Sequence, residues 1–244
     1  MKHFASQNVA LVTGGARRLG KYISLALAEN GFDIAVNYRT SRRDALQTKK
    51  EIESIGKQCL LLYADVSQNR DVARMFTNIV KNFGRLDVVV NNAGIFESAN
   101  LFSTTEKMWE NTLATNLKSV FLVSKAAAVI FQKQQRGKII NISSVGGIKA
   151  WKGFLAYSVA KAGVFQLTRI LARELAPYAH VNAIAPGTIL MSDDNISSLD
   201  DANIIPLNRF GVPSDITSLV VYLATTSQYI TGQTLAVDGG KSIL

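Results

Sequence analysis

Short apolar runs recur along the chain, and longer segments with the apolar spacing of amphipathic helices separate them. The runs predict seven strands, at residues 8–12, 33–37, 59–64, 86–90, 138–142, 181–185 and 234–237. The intervening segments predict helices at about 19–30, 41–55, 68–83, 104–134, 155–176 and 213–225, and the fourth of these is long enough for two helices. Apolar residues at consecutive positions are typical of strands that are buried on both faces of a parallel sheet.

Regular alternation of strands and helices predicts an α/β fold. We expect a single-domain Rossmann fold, in which a doubly wound parallel sheet carries helices on both faces and the crossovers are right-handed. The sequence contains no linker, internal repeat or low-complexity stretch, so residues 1–244 are predicted to form one domain. With 48% hydrophobic residues, the chain has enough apolar surface for a substantial core.

The amino-acid composition limits the kinds of site and the cellular settings that are expected for this chain. The single cysteine, Cys59, excludes an intrachain disulfide and fits a reducing, cytoplasmic setting. His3 and His180 are the only histidines, and no Cys/His cluster accompanies them, so no metal site is expected. No apolar run approaches the roughly eighteen residues that cross a bilayer. The first residues are too short and polar for a signal peptide, so no membrane association is predicted.

The net charge of +9 raises the question of nucleic-acid binding. The basic residues are scattered along the chain, and no basic helix with interleaved aromatic residues is present. A generally basic, solvated surface is therefore the preferred interpretation, and nucleic acid is not an expected partner.

A glycine-rich turn, Thr13-Gly-Gly-Ala-Arg-Arg-Leu-Gly20, joins the first predicted strand to the first predicted helix. Small residues in such a turn let backbone N–H groups and the helix N-terminus approach a pyrophosphate. The second strand ends without the acidic residue that NAD enzymes use for the ribose hydroxyls, and Arg39 and Thr40 stand there instead. Two guanidiniums, from Arg17 and Arg39, suit a 2′-phosphate, so NADP(H) is favoured over NAD(H). The alternative is a pair of exposed arginines with no ligand.

Tyr157 and Lys161 are predicted to lie one turn apart on the same face of the 155–176 helix. A nearby ammonium favours the phenolate, so we expect Lys161 to lower the pKa of Tyr157 and make this tyrosine a usable general acid. Ser144 follows the 138–142 strand, where its hydroxyl could donate to the same substrate oxygen. Such a Tyr–Lys pair also occurs on many solvated helix faces, so the spacing alone does not define a site.

Taken together, these motifs resemble the short-chain dehydrogenase/reductase family along essentially the whole chain. The resemblance implies that Tyr157 exchanges a proton, Ser144 holds the substrate oxygen and Lys161 binds the nicotinamide ribose. It also implies a homotetramer that packs through the 104–134 and 155–176 helices and the C-terminal segment. The matching segments, in order, are Thr13 to Gly20, Ala64-Asp-Val66, Asn91-Asn-Ala-Gly94, Asn116, Ser144, Tyr157 with Lys161, Pro186-Gly187 and Val237-Asp-Gly-Gly240.

The family's motifs carry further roles over to this chain. Asn116 is expected to anchor a water in the proton relay, and it completes the catalytic set with Ser144, Tyr157 and Lys161. The implied cofactor set is Gly14, Arg17, Arg18, Leu19, Gly20, Arg39, Thr40, Asp65, Val66, Asn91, Ala93, Gly94, Tyr157, Lys161, Pro186, Gly187 and Ile189. The implied substrate contacts are Phe96, Ser144 and Tyr157.

Three departures from the common pattern resemble the pteridine reductase and dihydromonapterin reductase branch. They are Arg18 in place of a glycine, the run Thr188-Ile-Leu-Met191 and a short connection at residues 177–182. Phe96 falls where that branch stacks a pterin ring against the nicotinamide. Against a pterin substrate, this chain has Gly94 where that branch often has serine, and Ser144 where many members have aspartate.

The 3-oxoacyl-[acyl-carrier-protein] reductases are similar in Ser144 and in much of residues 207–238. The arginines with which that group docks its acidic carrier protein align with Gln135 and Tyr178, although Arg136 and Lys138 lie nearby. Three hypotheses follow: a reductase of carbonyls such as 3-oxoacyl thioesters, a pterin reductase, and a non-catalytic NADP-binding or nucleic-acid-binding protein. A short acidic loop at about residues 192–206 is expected to close over the pocket and set specificity.

Overall fold

Seven strands form the centre of the computed structural model, which describes residues 8–191, 194 and 202–243. Their consecutive apolar residues bury both faces of every central strand, as the sequence pattern predicts. The strands are β1 (Val9–Val12), β2 (Asp33–Tyr38), β3 (Cys59–Tyr63), β4 (Val88–Asn91), β5 (Lys138–Ile142), β6 (His180–Pro186) and β7 (Thr234–Val237). All six pairings are parallel, in the order β3-β2-β1-β4-β5-β6-β7.

The described part of the chain contains seven α-helices. They are α1 (Arg18–Glu29), α2 (Arg42–Ser54), α3 (Asn69–Phe83), α4 (Glu106–Leu113), α5 (Ser119–Gln134), α6 (Leu155–Glu174) and α7 (Pro213–Thr225). Observed and predicted element boundaries agree within two residues. The fold prediction, a single-domain doubly wound parallel sheet, is confirmed.

Alternate residues of each strand enter two separate cores, one on each face of the sheet. In β1, Val9 and Leu11 pack with α3, α5 and α6, whereas Ala10 and Val12 pack with α1, α2 and α7. Each face of the sheet thus buries a layer of apolar side chains. This explains why the strand sequences are continuous apolar runs.

The sheet has a switch point between β1 and β4. The chain leaves β1 towards β2 and β3, then returns to the other side of β1 as β4 and continues outwards. Loops at the carboxyl ends of these two strands therefore separate and leave a crevice, the usual ligand site of an open α/β sheet. The glycine-rich turn after β1 lies at this crevice.

Residues Glu106–Gln134 form a continuous helical segment of 29 residues that is long and apolar enough to cross a membrane. The sequence pattern predicted helix over this range, but Lys118 and Lys125 interrupt its apolar run, so the run did not stand out as long enough to cross a bilayer. Val123, Ala127 and Phe131 on its inner face are fully buried in the core of the domain. A core helix that covers a sheet can be as long and as apolar as a helix that crosses a membrane. The two predicted helices are joined by a π turn at Ala114–Lys118 rather than by a break.

Most of the predicted loop at about 192–206 lies outside the described residues. Within it, Ala202–Ile204 forms a short 3₁₀ turn and Ile205 is buried. The expectation that this loop closes over the pocket stays a prediction.

Candidate active site

The glycine-rich turn is packed so closely against the end of β4 that Gly20 leaves no room for a side chain. Gly14 has a φ of +59°, and its N–H donates to Asn37 Oδ1 at 3.2 Å. A Cβ on Gly20 would collide with the carbonyl oxygen of Gly14 and lie 2.6 Å from Asn92 Nδ2. Thr13 Oγ1 accepts hydrogen bonds from the N–H groups of Asn92 and Ala93, both at 3.0 Å. The glycine positions of the turn therefore leave its backbone uncovered at the start of α1.

A cleft of about 280 Å³ opens above this turn. It has the groups that a dinucleotide needs: small residues at the turn, arginines at one end and Asp65 with Val66 at the tip of β3. Eleven of the predicted cofactor residues line it: Gly14, Arg17, Arg18, Leu19, Gly20, Arg39, Thr40, Asp65, Val66, Ala93 and Gly94. The cleft and its lining thus fit an extended nucleotide.

Arg39 and Asp65 form an ion pair across this cleft, with Nη1 3.3 Å from Oδ2. Burial disfavours the carboxylate of Asp65, but hydrogen bonds from Ser67 and Arg39 outweigh burial and lower its pKa. A guanidinium has five N–H donors, so the pairing with Asp65 leaves donors for a second anion.

Arg18 adopts a left-handed backbone conformation, with a φ of +48°. This conformation explains why a glycine is common at this place, because a side chain costs about 1 kcal/mol there. Its guanidinium lies 2.8 Å from Asp194 Oδ1 in the loop after β6. Arg18 therefore lines the cleft as predicted and also joins the turn to that loop.

A second cleft, of about 270 Å³, continues from the first and shares Leu19, Asn92, Gly94 and Ile95 with it. The structure brings the three predicted catalytic residues Ser144, Tyr157 and Lys161 together along its wall. The other predicted residues that line it are Phe96, Pro186, Gly187 and Ile189. The two clefts form one channel from the arginines to the hydroxyl pair.

Local structure positions each catalytic side chain. Ser144 caps a 3₁₀ turn at Val145–Gly147, and its Oγ accepts the N–H of Gly146 at 3.0 Å. Tyr157 and Lys161 lie one turn apart on α6. Lys161 is 5% exposed, its Nζ donates to the carbonyl oxygen of Ile142 at 2.9 Å, and it lies 5.8 Å from the ring centroid of Tyr157.

The predicted lowering of the Tyr157 pKa by Lys161 is wrong for this structure. Burial raises the pKa of Tyr157 above its ordinary value, and a hydrogen bond with Ser144 only partly opposes this rise. Burial also lowers the pKa of Lys161, to about 8. A desolvated ammonium that is itself close to neutral at mildly basic pH stabilises a phenolate weakly. Tyr157 is thus held as the protonated phenol, the form that donates a proton.

The shifted pKa of Lys161 predicts a pH-dependent stability. Between pH 8 and the ordinary value of 10.5, the unfolded chain holds a proton that the folded chain has released. The contribution of Lys161 to folding stability should therefore rise with pH across this window, by up to about 1.4 kcal/mol per pH unit. The thiol of Cys59, whose pKa burial raises to about 12, opposes this rise above pH 9, so the contribution is read as the difference between wild type and variant. Lys161→Met should abolish the rise when urea unfolding is measured from pH 8 to pH 10.

Lys50→Met is the matched control, since Lys50 is exposed on α2. Its stability curve should run parallel to that of the wild-type protein. Parallel curves for wild type and Lys161→Met would show that the ammonium is not desolvated.

Two predicted asparagines are placed differently from expectation. Asn91 does not line the predicted cofactor channel: its Nδ2 donates to Asn141 Oδ1 at 2.8 Å and to Ser124 Oγ at 3.2 Å inside the fold. Successive strand residues point to opposite sides, so the neighbouring Asn92 lines both clefts instead. The side chain of Asn91 is therefore used inside the fold, and the assignment of Asn91 to the cofactor stays a prediction.

Asn116 is fully buried, and both ends of its side-chain amide bond the backbone of Ile95, at 2.8 and 2.9 Å. The amide therefore holds the loop that carries Gly94 and Phe96, and its predicted role with a water stays a prediction. Asn116 sits in the π turn at Ala114–Lys118, and such turns often occur at functional sites. Sequence reasoning also missed Tyr38, Ile95 and Thr115 in the cleft, because no motif marks them.

Comparisons with known proteins agree with this geometry. A family model described as "Enoyl-(Acyl carrier protein) reductase" matches residues 14–242. The chain is similar to the 3-oxoacyl-[acyl-carrier-protein] reductase FabG of Staphylococcus aureus, with 42% identity over 237 residues that cover 95% of this chain and 96% of the relative. A 3-oxoacyl-[acyl-carrier-protein] reductase from Synechocystis is 40% identical over 236 residues, again covering 95% and 96%.

Solved structures give the same result. A short-chain type dehydrogenase/reductase from Mycobacterium marinum has a TM-score of 0.89 and 35% identity, covering 96% of this chain and 95% of its own. Acetoin dehydrogenase from Enterobacter cloacae has a TM-score of 0.91 and 34% identity, covering 98% and 97%. With the parallel sheet, the glycine turn and the Ser–Tyr–Lys cleft in place, the chain belongs to the short-chain dehydrogenase/reductase family of oxidoreductases.

Proposed function

We propose that the protein is an NADPH-dependent reductase of carbonyl compounds. The observation that carries this proposal is the shared cleft: Ser144, Tyr157 and Lys161 line one wall, and the cleft opens directly into the arginine-lined channel. A channel of this kind puts one end of a bound dinucleotide beside the hydroxyl pair.

Each catalytic residue has a distinct part in the reduction. NADPH, when bound, supplies the hydride that adds to the carbonyl carbon. Ser144 donates a hydrogen bond to the carbonyl oxygen, and the phenol of Tyr157 transfers its proton to that oxygen as negative charge develops. Lys161 donates a hydrogen bond to the carbonyl oxygen of Ile142, which fixes its side chain in the pocket. Its buried ammonium then lies near the phenolate that forms. The products are the alcohol and NADP⁺, and solvent reprotonates Tyr157.

The preference for NADPH over NADH rests on Arg17 and Arg39, which are exposed and line the first cleft but not the second, where Tyr157 lies. Arg39→Ala should raise the KM for NADPH about 10- to 100-fold, because it removes a charge-assisted contact with a phosphate. The KM for NADH should change less than about threefold. Steady-state kinetics with both cofactors measure this difference.

Arg70→Ala is the matched control, since Arg70 is an exposed arginine of α3 outside the cleft. It should change neither KM. An equal rise in both KM values for Arg39→Ala would overturn the assignment of the phosphate site.

Assays with three candidate substrates, each a carbonyl or an imine compound, will decide which substrate class the protein reduces. The curated relatives act, by their names, on 3-oxoacyl-[acyl-carrier-protein], which favours a 3-oxoacyl thioester. The exposed ring of Phe96 at the cleft favours the second candidate, a dihydropterin. NADPH oxidation with acetoacetyl thioester, dihydrobiopterin and a quinone separates the two. If none of the three is reduced, and DNA binds with the steep salt dependence of phosphate contacts, the result supports the alternative of a non-catalytic nucleic-acid-binding protein.

Docking of an acidic carrier protein has limited support from the described residues. Arg136 is paired with Asp87 at 2.9 Å, and Lys138 Nζ donates to the carbonyl oxygens of Thr225 and Ser227. These two cations already have partners, and they lie at the amino ends of the strands, opposite Ser144. A small-molecule carbonyl substrate is therefore the simpler proposal.

A homotetramer in a cytoplasmic setting is part of the same proposal. The outer face of the 106–134 helical segment exposes Phe121 and Val129, at 43% and 55%. An apolar groove of Trp109, Leu113 and Leu117 adjoins Phe121. A second copy of this chain would cover this surface, as large exposed apolar patches usually require.

A further inference from the structure

An ion pair joins the glycine-rich turn to the segment that follows β6, and neither of its residues takes part in the proton transfer proposed above. Arg18 lines the first cleft, and its Nη2 lies 2.8 Å from Asp194 Oδ1. The other carboxylate oxygen, Asp194 Oδ2, accepts the N–H of Met191 at 2.9 Å. Asp194 thus holds the turn with one oxygen and the segment after β6 with the other.

The segment after β6 is part of the wall of the catalytic cleft. Gly187 and Ile189 line the second cleft. Ile189 forms a parallel bridge with Gly211, and Leu190 N–H donates to the carbonyl oxygen of Gly211 at 2.8 Å. Met191, the next residue, is buried. The Met191 N–H that Asp194 holds therefore belongs to a segment that is fixed beside the catalytic cleft.

Both partners are set up for this contact. Arg18 is held at a φ of +48°, a conformation that persists in a side-chain-bearing residue where surrounding contacts over-determine it. The side chain of Asp194 is only 18% exposed. The N–H of Met191, together with the guanidinium of Arg18, lowers the pKa of Asp194, so its carboxylate is charged at neutral pH. The contact is therefore a full ion pair under ordinary assay conditions.

The position of the ion pair matters for a ligand that occupies the channel. A dinucleotide that extends along both clefts would contact both of the segments that the ion pair joins. These segments must separate, or the ligand must pass the ion pair, before such a ligand leaves. A contact that is broken on the way out slows dissociation, and differences of affinity among variants of one site lie mostly in the dissociation rate.

We propose that the Arg18–Asp194 ion pair retains the dinucleotide in the channel, with Asp194 as a positioning residue that acts on the cofactor through Arg18. This inference rests on the proposed reductase function and adds a residue that controls cofactor release. Asp194 itself lines neither cleft. Its effect on the cofactor must therefore pass through the side chain that it holds.

The test measures the rate of NADPH release by stopped-flow fluorescence, with excess NADP⁺ to prevent rebinding. Asp194→Asn keeps an oxygen that can accept the Met191 N–H but removes the negative charge. It should speed release about 2- to 5-fold, the factor that an ion pair of this exposure supplies. The ratio of variant to wild-type rates should fall towards one in 1 M NaCl, because salt screens the ion pair of the wild-type protein.

A double substitution shows whether Asp194 acts through Arg18. Arg18→Gly removes the guanidinium, suits the φ of +48° and should itself speed release. In the Arg18→Gly protein, Asp194→Asn should not change the release rate further, since the partner of the carboxylate is already absent. An acceleration that persists in that background would assign Asp194 a merely structural role at Met191 and contradict the inference.

Asp215→Asn is the matched control, because Asp215 makes the same two kinds of contact outside both clefts. It pairs with Arg209 Nη1 at 2.7 Å and accepts the N–H of Val212, three residues before it. Its release rate should equal that of the wild type. Unchanged release in Asp194→Asn overturns the inference and leaves the reductase proposal standing. A wild-type protein that binds no NADPH at all overturns both, so the two failures are distinguishable.

Discussion

Replacement of Tyr157 by phenylalanine should lower kcat at least about 10³-fold, while the Kd for NADPH stays within about threefold of wild type. The substitution removes only the hydroxyl that transfers the proton. The ring contacts with Phe96 and Trp151 remain, at 4.8 and 6.5 Å, so the pocket should keep its shape. Turnover and fluorescence titration of NADPH measure the two quantities on the same preparation.

Tyr222→Phe is the matched control, because Tyr222 is 44% exposed on α7, outside both clefts. It should retain wild-type kcat. A Tyr157→Phe protein that loses NADPH binding together with turnover would show a structural role, and one that retains turnover would remove Tyr157 from the chemistry.

Gly20→Ala should destabilise the protein by about 2–3 kcal/mol and weaken NADPH binding at least about tenfold. The new Cβ would collide with the carbonyl oxygen of Gly14 and approach Asn92 Nδ2 to 2.6 Å, so the turn must shift. A shifted turn no longer presents its backbone as a cradle at the start of α1. Urea unfolding and NADPH titration measure the two effects.

Gly84→Ala separates these effects from the general cost of losing a glycine. Gly84 has a φ of +73° and no heavy atom within 4 Å of an added Cβ. The variant should lose about 1 kcal/mol of stability and bind NADPH normally. Normal NADPH affinity in Gly20→Ala would mean that the cofactor does not contact this turn.

The fold was predictable because the central strands of the sheet are buried on both faces. The run at 8–12 is apolar from Val9 onwards and the run at 138–142 is apolar at Ile139, Ile140 and Ile142, and both became central parallel strands. The glycine turn and the Tyr157–Lys161 pair were also predictable, since each depends on residues that are close in the chain.

Features that depend on tertiary contact were not predictable. The sequence shows Tyr157 next to Lys161, but burial reverses the direction of the expected pKa change. Asn91 and Asn92 are adjacent and chemically identical, and only the strand pairing decides which one faces the cleft. The Phe96–Phe154 stack joins residues 58 positions apart through loop hydrogen bonds that no local pattern encodes.

Deuterium transfer tests the central claim most directly. The protein is incubated with NADPH that carries deuterium at both positions of C4 of the nicotinamide and with acetophenone or acetoacetyl thioester, and the alcohol product is analysed by mass spectrometry. We expect one deuterium on the carbinol carbon in the wild-type reaction and no labelled product from Tyr157→Phe. Unlabelled alcohol, or equal labelled product from both proteins, would contradict direct hydride transfer in the cleft of Ser144 and Tyr157.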